Sequence, residues 1–330
     1  MGDTGTTAFL EQVGIEPTVA PSRGLRGFLR KDPREADLSR RRFRLREGHS
    51  RRVLENAEES YVFGFNATLA READKIELIE QARRGFAYEG AGAACTVLDL
   101  LTLTRGRRLH ELLAGPAKHY RHSVYLGAGR GYALLRMRPM RGLRRAHPLL
   151  RWLVVDGFGF QQGLARADRM VGERSMPDLL TRSHCAIFDQ GLGRLLWYHD
   201  CAQPDEVAAR IAGYPVGRRG DLWSGVGFAA AYTGGAELEE LQRLAAHAGA
   251  DGFRGHLAQG CAFAVTARTQ AGPVPEHTAE AAAVLAGAVP EEAASWADAA
   301  LIALGHDPHT HEDYQSWHTG VRRTWARRNR

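Results

Sequence analysis

Apolar and polar positions alternate at helical spacing through much of the chain. Between Arg51 and Ala82, the residues Val53, Ala57, Val62, Phe65, Leu69, Ile76 and Ile79 approximate a 3.6-residue stripe. That pattern predicts an amphipathic helix with a break near Gly64. Glu237 to Ala248 carries the same signal and stops at Gly249. Pro204 opens another helix, with Asp205 and Glu206 in the first turn, where the dipole favours acids, and Gly213 at its end. Ala-rich stretches at Thr278–Leu285 and Pro290–Leu304 read as helices too. A different kind of stretch is rich in glycine and alanine: residues 83–104, 156–170, 223–232 and 253–269. Each glycine inside a helix costs about 1 kcal/mol against alanine. Such glycines are expected where another backbone comes close, or where small side chains leave a smooth apolar groove.

Two segments look extended. His119 to Met137 reads SVYL, then GAGRG, then YALLRM; His184 to His199 turns at Gly191–Gly193. Both are predicted as β-hairpins. The expected fold class is therefore α+β, mainly helical with two inserted hairpins.

The glycine-rich stretches also echo one another. GFAYEGAGAA from Gly85, GFGFQQG from Gly157 and GVGFAAAY from Gly225 start 72 and 68 residues apart. The two hairpin candidates, from Tyr125 and Phe188, lie 63 residues apart. These spacings predict a degenerate internal repeat of about 65–70 residues, with Gly85, Gly157 and Gly225 opening equivalent helices. Pseudo-repeat halves at 51–150 and 151–272 then fall inside one domain at 23–305. Residues 1–22 are polar and read as disordered. Residues 306–330 read as a histidine-rich turn and a basic tail.

Composition narrows the class. At 330 residues, 44% hydrophobic and 25% charged, the chain is that of a soluble globular protein, expected in the cytoplasm. Lysine occurs only at Lys31, Lys75 and Lys118, so the basic charge is arginine, a bias typical of GC-rich coding. No secretory leader and no membrane span are visible. The four cysteines form no C-x-x-C pair and are expected to be buried free thiols. The net charge of +6 is uneven: Arg105 to Arg151 holds twelve basic residues and one acid, Glu111. No nucleic-acid motif accompanies that stretch, so no nucleic-acid partner is expected; a membrane-surface or acidic-partner adaptor is the weaker alternative.

Candidate chemistry gathers at VVDGFGFQQGLA, Val154 to Ala165. Asp156 is placed to cap a helix start, and Phe160, Gln161 and Gln162 follow it. Glu89 sits among small residues, where burial would make it a base. Asp156 and Glu89 are the catalytic candidates. Phe160, Gln161, Gln162, Trp223 and Gln259 are the candidate ligand-binding residues, with aromatics to stack and amides to fix a polar end. Arg268, nine residues beyond Gln259 on one helix, should point to the opposite side. His184, Cys185, His199 and Cys201 have zinc-type ligands, but neighbours on a strand face opposite ways. His306, Asp307, His309 and His311 read as a surface turn. No metal is expected, nor any haem, flavin or nicotinamide, because each one's spacing signature is missing.

The segments ARRGFAYEGAGAA (Ala82 to Ala94), LLRWLVVDGFGFQQG (Leu149 to Gly163), GRLLWY (Gly193 to Tyr198) and HLAQGCAFAVTAR (His256 to Arg268) resemble the bacterial DUF1702 family. VLENAEESYVFGFNATL (Val53 to Leu69) fits the family's early helix, and the likeness spans about residues 20–290. The family is a domain of unknown function found with enediyne polyketide biosynthesis genes. The resemblance implies an accessory enzyme or assembly factor that handles an unsaturated, apolar, polyketide-derived intermediate. The alternative it implies is a non-catalytic protein that shields such an intermediate or docks biosynthetic partners. The family often carries a histidine where this chain has Gln161, and glutamine cannot titrate. A buried pocket with a shifted carboxylate would favour the enzyme; the same pocket without a titratable group would favour the binding protein.

Overall fold

The computed structural model describes residues 24–329 other than 145 and 306. The reading of 1–22 as disordered lies outside them. Seven helices form the body: α1 His49–Ala70, α2 Gln81–Leu101, α3 Arg121–Leu134, α4 Leu153–Ala165, α5 Arg182–His199, α6 Val216–Thr233 and α7 Arg254–Ala271. Each packs on the next in chain order. The array curls until α7 returns to α2. There Arg268 Nη1 donates to the Ala82 carbonyl at 2.6 Å and Gln81 Nε2 to the Ala271 carbonyl at 3.4 Å. Two further helices, α8 Pro290–Ile302 and α9 His311–Arg328, pack against α7 and each other.

The two expected hairpins are helices α3 and α5, and no strand occurs among the described residues. The fold is all-helical. The glycines that suggested turns have another reason to be there. A Cβ on Gly127 would overlap the carbonyl of Glu89, and one on Gly191 that of Asp156. Neighbouring helices touch through their backbones at these points, so no side chain fits between them. The apparent hairpin glycines are helix-contact glycines.

That contact repeats with a fixed register. Gly157 meets the carbonyl of Leu126, Gly225 that of Gln190, and Gly260 that of Ser224. In each case the carbonyl belongs to the residue just before the preceding helix's own contact glycine. Two residues on, a second glycine meets the following helix: Gly129 meets Val154, Gly159 meets Phe188 and Gly193 meets Leu222. The contact glycines Gly90, Gly127, Gly157, Gly191, Gly225 and Gly260 lie 37, 30, 34, 34 and 35 residues apart. The structural unit is thus about half the expected length. Gly157 and Gly225 are equivalent, two units apart. Gly85 is not their counterpart: a Cβ there would strike the Tyr232 hydroxyl, and Gly90 takes the place expected of it.

The single helix expected over residues 51–82 ends at Ala70, with Arg71 in the left-handed region, and a 3-10 turn follows. The expected histidine-rich turn and basic tail also differ. From His311 onward the chain is helix, opened by Thr310, whose hydroxyl accepts from the Asp313 N–H at 3.0 Å. Tyr314, Trp317, His318 and Val321 on it are buried.

Candidate functional site

The register fixes what faces the interior. The residue before each contact glycine and the residue four further on share one helix face. Across the array these positions are Leu126 and Arg130, Asp156 and Phe160, Gln190 and Arg194, Ser224 and Phe228, Gln259 and Phe263. All are buried. Two arginines are therefore carried deep inside by the same pattern that packs the helices.

They bind three buried carboxyls in a row. Arg130 pairs with Glu58 of α1 at 2.7 Å and reaches Glu89 of α2 at 3.3 Å. Arg194 reaches the other oxygen of Glu89 at 3.4 Å and holds Asp156 at 2.7 Å. Aromatic faces lie between the guanidinium groups. Arg130 stands 3.4 Å from the centroid of the Tyr61 ring and 4.8 Å from that of Phe160. Arg194 lies 5.0 Å from the Phe160 centroid and 5.3 Å from that of Phe228. A desolvated cation over a ring gains more than an exposed one. Burial works against the Glu58 carboxylate, but Arg130 outweighs it and holds Glu58 below its usual range. Asp156 goes the other way. Burial pushes it up to about 6, only partly offset by Arg194, and Glu89 adds to the rise. Three carboxyls share two guanidinium groups, so one proton on Asp156 brings the cluster to neutrality.

Asp156 also lines a chamber. Its walls are His122 and Leu126 of α3, Leu153 of α4, Gln190 of α5, Phe228 of α6 and Phe263 of α7, with Tyr314, Trp317 and His318 of α9 closing it. The free space is about 10 Å³, room for about one water molecule. Gln259 Nε2 donates to His318 Nδ1 at 3.1 Å, and Arg322 donates to Gln259 Oε1 at 2.7 Å, which ties α9 to α7. Burial pushes His122 down to about 4, with His147 contributing, so its ring is neutral; its Nε2 is buried without a hydrogen-bond partner. Burial likewise raises Tyr314 well above the usual phenol range, with Asp156 and Asp221 adding to the rise. The chamber therefore joins a protonatable acid to apolar and aromatic walls.

The sequence-derived residues are distributed as follows. Asp156 faces the chamber, but it lies inside α4 and binds Arg194; it does not cap the helix start. Glu89 is buried and bridges the two arginines. Phe160 is the ring between Arg130 and Arg194, Gln161 accepts from Arg130 Nε at 2.9 Å, and Gln162 is buried beside it on α4. Gln259 touches the chamber wall through His318. Trp223 is buried elsewhere, donating to Asp251 at 2.9 Å. None of these five residues lines the chamber that Asp156 faces. Arg268 faces away from Gln259, as the helical spacing predicts, and donates to the Ala82 and Tyr232 carbonyls. His184 and Cys185 open α5 while His199 ends it and Cys201 lies beyond. Fifteen residues of helix put the two pairs about 22 Å apart, so they cannot share a metal. No cluster of three metal-type ligands occurs among the described residues.

Arg130, Arg194, Glu58 and Tyr314 were not singled out by the sequence reading. A signal for the arginines was present: GAGR and GLGR place each one residue after the second contact glycine.

The fold and the site define a protein built as a closed array of glycine-contacted helices around a buried charge cluster. A family model described as Protein of unknown function (DUF1702) matches residues 23–325, and the chain belongs to that family. No curated protein and no solved structure matches it. No helix among the described residues is long and apolar enough to cross a membrane.

Proposed function

We propose that the protein is an enzyme of enediyne polyketide biosynthesis that performs acid–base chemistry on an unsaturated, apolar intermediate. The observation that carries this reading is Asp156: a carboxyl raised to about 6, on the wall of a chamber lined by Phe228, Phe263 and Trp317. A neutral carboxylic acid there can give its proton to an alkene carbon, and a cation formed beside aromatic faces is stabilised by them. The carboxylate left behind, held by Arg194, can take a proton from a neighbouring carbon, so the double bond moves with no net change in atoms or electrons. Phe160, Gln161 and Gln259 support this site by fixing its arginines and its closing helix; they do not touch the ligand.

The second reading is a non-catalytic binding protein, in which the apolar and aromatic walls alone hold the ligand; in both readings the free space is that of about one water molecule. A ligand larger than water must displace part of α9. Deletion of the gene in the strain that carries it, complemented with native protein, Asp156→Asn or Phe263→Ala, separates the two. The enzyme reading expects Asp156→Asn to fail to restore product while the folded variant accumulates normally. Restoration by Asp156→Asn but not by Phe263→Ala supports binding alone. Unchanged metabolites on deletion would remove both readings.

A further inference from the structure

The basic stretch that the chamber does not account for builds a second site. Between α3 and α4 the chain turns through Arg138, Pro139, Met140 and Arg141, and with His184 these residues line an open hollow of about 470 Å³. The turn is held in place. Arg136 and Met140 sit in the left-handed region, the Met137 N–H donates to the Tyr132 carbonyl at 3.0 Å, and the Tyr132 hydroxyl donates to the Arg141 carbonyl at 2.8 Å. Both guanidinium groups are on exposed residues, and neither is in an ion pair among the described residues. The sequence offers no acid between Glu111 and Asp156 to neutralise them.

The floor of the hollow is His184, 6% exposed. Its Nδ1 faces the Thr181 N–H at 3.5 Å. Burial pushes the ring down to about 4, and Arg138 and His311 add to this, so it is neutral near pH 7. With Nδ1 turned to an N–H donor, the ring's one proton belongs on Nε2, which has no hydrogen-bond partner among the described residues. The side chains that line the hollow thus include no carboxylate and supply two guanidinium forks and one nearly buried imidazole N–H as donors. Two forks exceed what one carboxylate needs and suit the several oxygens of a phosphate. It also adjoins the chamber. The Trp152 ring centroid lies 6.2 Å from that of His184 and 5.4 Å from that of His311; the next residue, Leu153, lines the chamber, as does Tyr314 one turn along from His311.

We propose that Arg138, Arg141 and His184 form a phosphate site, which holds the phosphate-bearing end of a ligand whose apolar part enters the chamber. The second half of this proposal rests on the function proposed above; the phosphate site does not. The test is calorimetric titration of the full chain with octyl phosphate below its micelle concentration, with inorganic phosphate and with octanol. Octyl phosphate should bind more tightly than either of the others. The double variant Arg138→Ala/Arg141→Ala should weaken octyl phosphate by about tenfold or more, as expected for lost charge-assisted hydrogen bonds. Arg144→Ala, an exposed arginine on the same loop, should leave it unchanged. All three proteins should melt alike, since the altered residues are exposed. Equal loss in Arg144→Ala, or none in the double variant, overturns the site. Binding to phosphatidic acid vesicles without binding to monomeric octyl phosphate also overturns it, in favour of a membrane surface. Arginine-dependent binding of inorganic phosphate that the octyl chain does not improve upholds the site and overturns the chamber reading.

Discussion

Arg194 holds the Asp156 carboxyl at 2.7 Å while its other terminal nitrogen reaches Glu89 at 3.4 Å. One guanidinium is thus divided between two carboxyls that are all but out of reach of bulk solvent. Asp156, at the end of the row, is the member for which burial wins. Its contribution to stability is present while it is protonated, below its unfolded value of 3.8. It is lost as pH rises through about 6. Asp156→Asn removes that loss. The stability of the variant relative to native protein should therefore increase between pH 4 and pH 8, by up to about 3 kcal/mol for a shift of this size. Denaturant titrations at the two pH values measure it. A difference that does not change with pH would show Asp156 to be an ordinary ion-pair partner.

Arg130 gives the opposite case. Removing it leaves Glu58 and Glu89 in the interior with one guanidinium, Arg194, between Glu89 and Asp156. Breaking a buried pair from one side costs about 3–5 kcal/mol. Arg130→Met should fall in that range by urea unfolding, and Glu58→Gln in the same chain should recover part of the loss. If the double variant is no more stable than Arg130→Met alone, the two residues are not coupled.

The glycine register makes a prediction that separates packing from propensity. An added methyl at Gly157 must push the Leu126 carbonyl away, so Gly157→Ala should cost more than the usual 1–3 kcal/mol of overpacking. Gly249, also helical, has nothing within 4 Å of where its Cβ would lie. Gly249→Ala should stabilise by about 0.5–1 kcal/mol. Similar melting shifts for both variants would mean that the close contact is relieved by small movements of α4.

These glycines also explain what was legible in the sequence. The amphipathic surface helices, such as Leu238–Ala250 and Pro204–Ala212, were readable because only one face of each meets the core. Helices α3 and α5 are buried on nearly every side, so they have no polar face and no 3.6-residue stripe. Glycine within such a run looks the same at a turn and at a helix crossing. The echo of Gly157 in Gly225 was visible because two units separate them. The intermediate unit was hidden because Gly191 was read as a turn. Asp156 could be found from its motif, but its partner Arg194 was read as part of a hairpin. Tyr314 could not be found, because nothing local indicates that a polar C-terminal helix enters the interior.

The buried and half-buried histidines decide how the protein meets acid. Burial, the largest cause in each case, pushes His122, His184, His256 and His277 down to about 4, and His318 well below its usual range. In the unfolded chain these rings take protons near pH 6.5, whereas in the folded protein they resist until about pH 4. The unfolded state therefore binds more protons across that window, and stability falls as pH drops from about 6.5 towards 4. Asp156 and Asp221, the latter raised to about 7 mainly by burial, act with the opposite sign over part of the same range. Glu59 and Asp189, also raised by burial, act with those two. The five histidines, together with carboxylates such as Glu58 and Asp200 that are held below their usual range, leave acid destabilisation as the net result. The melting temperature should be highest near neutral pH and fall steeply below pH 6. His122 is the cleanest probe, since its Nε2 is buried without a partner and phenylalanine has a similar shape. His122→Phe should melt close to native protein at pH 7.5 and above it at pH 5. If the two melting curves stay parallel from pH 7.5 to 5, His122 takes up a proton as readily in the folded protein as in the unfolded chain, and the neutral chamber wall described above is wrong.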